Sequence, residues 1–162
     1  ELGHKSQGPV VEGLHNRLAD RHWAVRQRAI EALAKVVGKG DPTTLGALLA
    51  CLEDVHFAVR QSAVHVLTCV AERGDEGALA AVITRLAHES APVRQHAIQA
   101  LGVVATRGDE RTLSDVAEHL KHEHWAIRQT ALQALSIVAE KGQARALALV
   151  ADSLGDEHGG VR

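Results

Sequence analysis

The string Ala24-Val25-Arg26-Gln27 recurs as Ala58-Val59-Arg60-Gln61, Pro92-Val93-Arg94-Gln95 and Ala126-Ile127-Arg128-Gln129, and once more, cut short, as Gly160-Val161-Arg162. Each copy begins 34 residues after the last, without drift. Other columns keep the same step: Leu18, Leu52, Leu86, Leu120 and Leu154; Ala29, Ala63, Ala97 and Ala131; Gly40, Gly74, Gly108 and Gly142. So many columns at one period define a tandem array. In such an array a single supersecondary unit is copied, and each copy buries its apolar face against its neighbours.

Each unit reads as two helices. Gly40-Asp41-Pro42 supplies a helix-stopping Gly, an N-cap Asp and a Pro at the first helical position, and Gly74-Asp75-Glu76 and Gly108-Asp109-Glu110 repeat the stop and cap. Helix A follows with Leu45, Leu48, Leu49 and Leu52 at three-and-four spacing, then a short polar turn, then helix B from about Ala58 to Glu72. Units fall near 8–41, 42–75, 76–109 and 110–143, with a partial unit over 144–162. The expectation is one array, with an uncapped end suited to further repeats or self-association, cut from a longer polypeptide.

Composition agrees with thin helical layers. Two Trp, one Phe and no Tyr leave the core to Ala, Val, Leu and Ile. No run approaches the roughly 18 apolar residues of a membrane span. The start, ELGHKSQGPVVEG, lacks the order of a signal peptide. Cys51 and Cys69 have no disulfide or zinc spacing and read as small buried or half-buried residues in a reducing, cytoplasmic setting. With 18 basic against 20 acidic residues, the chain lacks the basic face that nucleic acid demands.

Two families have helix pairs near this period. Tetratricopeptide repeats want Tyr at set positions, and this chain has none. Asp20, Asp54 and Asp156 each precede Arg26, Arg60 and Arg162 by six residues, with Val before the Arg and A-x-x-x-L after it. That pattern resembles HEAT repeats, particularly the short HEAT-like type, over about residues 8–162. The resemblance implies an all-α, right-handed superhelix of stacked antiparallel helix pairs, with an Asp–Arg ladder between units. His88 and His122 interrupt the Asp column.

On a wheel with Val25 at zero, Arg26 falls near 100°, inside the apolar arc. A charge there needs a partner, and Asp20 or a neighbouring unit's Asp is the candidate. Arg26, Arg60, Arg94 and Arg128 are therefore read as structural, with a phosphate-binding ladder the lesser alternative. The opposite arc holds Gln27, Arg28 and Glu31; Gln61, Ser62, His65 and Cys69; Gln95, His96, Gln99 and Val103; Gln129, Thr130, Gln133 and Ile137. The resemblance places this arc on the concave surface. One amide per unit is similar to the Asn ladder with which armadillo proteins grip extended peptides. Gln27, Glu31, Gln61, His65, Gln95, Gln99, Val103, Gln129, Gln133 and Ile137 are the candidate partner-binding residues. A solvated helix surface is the alternative.

Histidines recur in the turn column as His22, His56, His124 and His158, and His119 and His122 add a local cluster. These read as a copied polar turn, with metal ligation the lesser alternative. The di-iron chemistry of deoxyhypusine hydroxylase, a HEAT-like enzyme, needs His-Glu pairs directly after Val-Arg. Here Gln27-Arg28, Gln61-Ser62, Gln95-His96 and Gln129-Thr130 stand there instead. Trp23, Phe57 and Trp125 share one column and read as packing over the turn onto the next unit, or as partner anchors. The expectation is a non-catalytic scaffold for a protein or peptide, without metal or cofactor. The alternatives are an accessory subunit of an enzyme such as a bilin lyase, and a spacer in a larger protein.

Overall fold

The computed structural model describes residues 8–162; residues 1–7, part of the stretch compared above with a signal peptide, lie outside the described residues. The described residues form nine α-helices and no strand: α1 (Gly8–Arg17), α2 (Trp23–Val36), α3 (Pro42–Cys51), α4 (Phe57–Val70), α5 (Glu76–Arg85), α6 (Ala91–Val104), α7 (Glu110–Glu118), α8 (Trp125–Val138) and α9 (Ala144–Ser153). A 3-10 turn, His119–Lys121, follows α7. The odd-numbered helices are the A helices of the repeat, and α2, α4, α6 and α8 are the B helices. The architecture is an all-α tandem repeat. None of the described helices is long and apolar enough to cross a membrane.

The chain divides into two compact units, Glu1–Glu72 and Arg73–Arg162. In the first, α2 packs on α4, and α1 and α3 pack on these B helices. Ile30, Leu33, Leu48, Leu52, Val59 and Leu67 are fully buried there. In the second, α6 packs on α8, with α5 on α6 and α7 on α8. Its core is Val82, Leu86, Leu101, Leu113, Val116 and Leu135. Aliphatic side chains suffice because each layer is one helix pair thick. On α9, Leu147, Val150 and Leu154 remain exposed.

The caps follow the repeat. Asp41, Asp75 and Asp109 accept the N–H groups of Thr44, Ala78 and Thr112 at 2.8, 2.6 and 2.7 Å, which satisfies orphan amides of α3, α5 and α7. Helix B differs from its expected span: α4 starts at Phe57 and ends at Val70, with Ala71 already extended. The column glycine is therefore not the residue that stops the helix. Gly40, Gly74 and Gly108 adopt φ of 76°, 81° and 76°, a region open mainly to glycine. This turns each N–H onto the last carbonyl of the following B helix: Gly40 to Val70 at 2.8 Å, Gly74 to Val104 at 2.8 Å and Gly108 to Val138 at 2.7 Å. The same residue that bends the chain also joins two repeats.

Candidate functional site

The arginine column shapes the turn that introduces every B helix. In each of the four repeats, Nη1 donates to the carbonyl six residues earlier: Arg26 to Asp20, Arg60 to Asp54, Arg94 to His88 and Arg128 to His122, at 2.7, 2.6, 2.8 and 2.9 Å. The rest of the guanidinium reaches forward. Arg26 forks onto Asp54 of the next repeat, Nε to Oδ2 at 2.6 Å and Nη2 to Oδ1 at 2.7 Å. Arg128 does the same to Asp156 at 2.7 and 2.9 Å. Asp20 serves its own turn, accepting the His22 N–H at 2.9 Å and pairing with Arg17. Arg162, the last residue, is exposed.

Electrostatics follow from this geometry. Burial works to raise the Asp54 carboxyl, but the Arg26 hydrogen bond, the His56 N–H and nearby positive charge outweigh it and hold it below the usual carboxylate range. The Asp156 carboxyl is lowered, mainly by its hydrogen bond from Arg128. Burial raises the Cys51 thiol to about 11.

Where histidine replaces Asp, the parts are redistributed. His88 and His122 accept the N–H two residues on at Nδ1, both at 3.0 Å, and so keep the capping role of the Asp. Arg94, only 8% exposed, has no carboxylate at position 122 to fork onto. Its Nε donates instead to the Thr130 hydroxyl at 3.2 Å, which itself donates to the Ala126 carbonyl at 2.7 Å.

The B helices leave an open arc along each unit. Gln61, His65, Gln95, Gln99 and Gln133 are exposed, and Gln27, Glu31, Val103, Gln129 and Ile137 are half-buried. Ser62, His96 and Thr130, placed on this arc by the wheel, are buried instead. The reason is packing on more than one side: helix B meets its own A helix and the B helix of a neighbouring repeat. In α4, α6 and α8 the buried arc therefore widens to take in the residue after the glutamine, whereas Arg28 of α2 stays exposed. The His96 ring accordingly turns inward, with Nδ1 2.6 Å from the Pro92 carbonyl oxygen. Cys69 is exposed on the same arc rather than half-buried, whereas Cys51 is buried.

Three of the four column glutamines are engaged at their nitrogens. Gln27 donates along its helix to Glu31 at 2.9 Å, Gln95 crosses to Gln133 of the next repeat at 3.3 Å, and Gln129 reaches the Gly160 carbonyl at 2.9 Å. The row is thus partly tied into the repeat rather than purely solvated. Charge is concentrated on the first repeat, where Arg28 pairs with Glu31 at 2.8 Å.

The turn histidines join the aromatic column. Trp23 stacks on His56 and Trp125 on His158, each with ring centroids 4.0 Å apart. The offset of 33 residues between stacking partners, one short of the period, is the signal that pairs these columns. In the His119 cluster, burial lowers the His119 imidazole from its usual value. Among the described residues, no group of three or more His, Cys, Asp or Glu is placed to hold a metal ion.

The profile of the HEAT repeats matches residues 11–102 and again 79–162, together nearly the whole chain. The chain belongs to the HEAT-repeat family. No curated protein matches it significantly. Solved structures similar to this HEAT-repeat chain include an engineered protein at 23% identity, covering 93% of this chain and 76% of that one with a TM-score of 0.48. A designed armadillo repeat protein in complex with the peptide (KR)4 is 17% identical, covering 98% and 80% with a TM-score of 0.49. Another designed armadillo repeat protein is 17% identical, covering 93% and 77% with a TM-score of 0.47.

Proposed function

We propose that this HEAT-repeat chain is an interaction scaffold, without catalysis of its own, that binds an extended polypeptide along its B helices. The observation that carries this reading is the open arc: every B helix keeps it free of a further protein layer, and Gln95 and Gln133 join it across neighbouring repeats. Packed helices lie about 8–10 Å apart and an extended strand rises about 3.3 Å per residue. One repeat therefore matches about three residues of a partner. A glutamine held at its nitrogen presents its oxygen to a partner's backbone N–H, which grips a main chain without choosing side chains. Gln99, Val103, Gln133 and Ile137 add a surface without charge in the second unit, while Gln27, Glu31, Gln61 and His65 make a more polar one in the first.

Peptides enriched on the full chain from a random displayed library test the reading. Gln99→Ala with Gln133→Ala, both at exposed positions of the second unit, should weaken them by about tenfold or more at an unchanged thermal midpoint. Peptides that bind the double variant as tightly as the parent would overturn it.

A further inference from the structure

A second surface lies on the turns and at the first residues of the B helices. In the first unit Val55 is 92% exposed, Phe57 61% and Trp23 43%. Trp23 lies flat on His56, the planes 3° from parallel. Val55 and Phe57 are the chain neighbours of that histidine, so two further exposed apolar residues flank the stacked pair in the chain. Grouped apolar exposure of this kind marks interaction sites, and Trp is enriched among the anchors that dominate them. The stack also fixes the indole before any partner arrives, which lowers the ordering cost of binding.

The surrounding charge narrows the partner. Arg17, with a side chain 67% exposed, is 3.6 Å from Asp20. Arg21 is exposed, and its Nε donates to a ring nitrogen of His22 at 3.1 Å rather than to a carboxylate. Glu53 stands two residues before Val55, so the cationic side of the patch is the one that leads into Trp23. The second unit differs at the same turn position, where Glu89, Glu123 and Glu157 are all exposed. Its ring column also thins to Ala91, Trp125 and Gly159.

We propose that this turn edge of the first unit, formed by Trp23, Val55 and Phe57 beside Arg17 and Arg21, docks a peptide segment with an apolar anchor flanked by carboxylates. The apolar side chain covers the exposed rings and Val55, and a carboxylate meets the Arg21 guanidinium. The acidic turns of the second unit repel the same segment. The site abuts the start of the helix B arc, since Phe57 stands one helical turn before Gln61, but different side chains carry it.

The test uses the full chain carrying Trp125→Phe, which leaves Trp23 as the sole tryptophan. A short synthetic peptide with Leu and Phe among Glu residues is titrated against Trp23 emission, beside the same peptide with Lys in place of Glu. The acidic peptide should bind about tenfold tighter than the basic one, and added salt should weaken it. Val55→Glu installs the residue that three other repeats carry at this position and so spares the fold. It should cost about tenfold in affinity, and Arg21→Glu a similar amount. Gln99→Ala with Gln133→Ala, both in the second unit, should leave this binding unchanged, which separates its failure from failure of the helix B reading. Equal or stronger binding of the basic peptide, no binding of either at about 1 mM, or indifference to Val55→Glu would each overturn the proposal.

Discussion

Two joints between repeats start from the same arginine and end on different chemistry. In the first unit Arg26 closes onto Asp54 through a two-pronged ion pair, with both side chains about 11% exposed. In the second unit Arg94, just as secluded, finds the hydroxyl of Thr130. The turn survives the exchange because His122 takes over the capping duty, while the ion pair does not. Position 122 therefore shows that one aspartate performs two separable tasks, capping its own turn and clamping the preceding repeat. Histidine inherits only the first. On this contrast the joint at Asp54 should be the less tolerant of losing its partner, and the joint at Thr130 the more tolerant.

Several substitutions break or sharpen that contrast. Asp54→Ala strands Arg26 without its carboxylate and removes the cap on His56, and should cost about 3 kcal/mol in urea unfolding. A loss near that of an exposed ion pair would show the clamp to be ornamental. Acid should act on the same joint more gently, because a protonated carboxyl still fills the site. The Asp54 carboxyl is lowered in the folded chain, so its stabilisation is present above the ordinary carboxylate value. It is lost as the pH falls from about 4 through the folded value. Thermal midpoints of Asp54→Asn should lack that acid limb. His122→Asp should give Arg94 the missing carboxylate, keep the turn capped, and add about 1 kcal/mol by the same unfolding assay. No gain would mean that Thr130 already satisfies the guanidinium. Thr130→Val should remove the acceptor of Arg94 Nε and cost about 1 kcal/mol, at the lower end for a buried donor left unpaired, by the same assay.

Much of this architecture was legible in the residues. The period, the capping Asp41, Asp75 and Asp109, and the demand of a buried arginine for a partner all follow from spacing and from the cost of isolated charge. The direction of the arginine's reach was open between its own turn and a neighbour. Both are used: Asp20 supplies a carbonyl and Asp54 a carboxylate. The 28-residue offset from Arg26 to Asp54 recurs from Arg128 to Asp156 and meets histidine from Arg60 and Arg94. A helical wheel treats each helix alone, and so it misplaced Ser62, His96 and Thr130; Thr130 meets Arg94 of the preceding repeat. For the same reason the Gln95–Gln133 bridge and the Trp–His stacks stayed hidden. Each depends on how two repeats are set against one another, and no single period encodes that.

The glycine amides carry a practical consequence. Gly40, Gly74 and Gly108 each donate to a carbonyl in the following repeat, and glycine amides resonate apart from most others in a nitrogen-correlated spectrum. Among the chain's 14 glycines, three assigned signals thus stand for three separate junctions. Their proton-exchange rates should measure how often each junction opens, one junction at a time, without any probe group being attached to the protein.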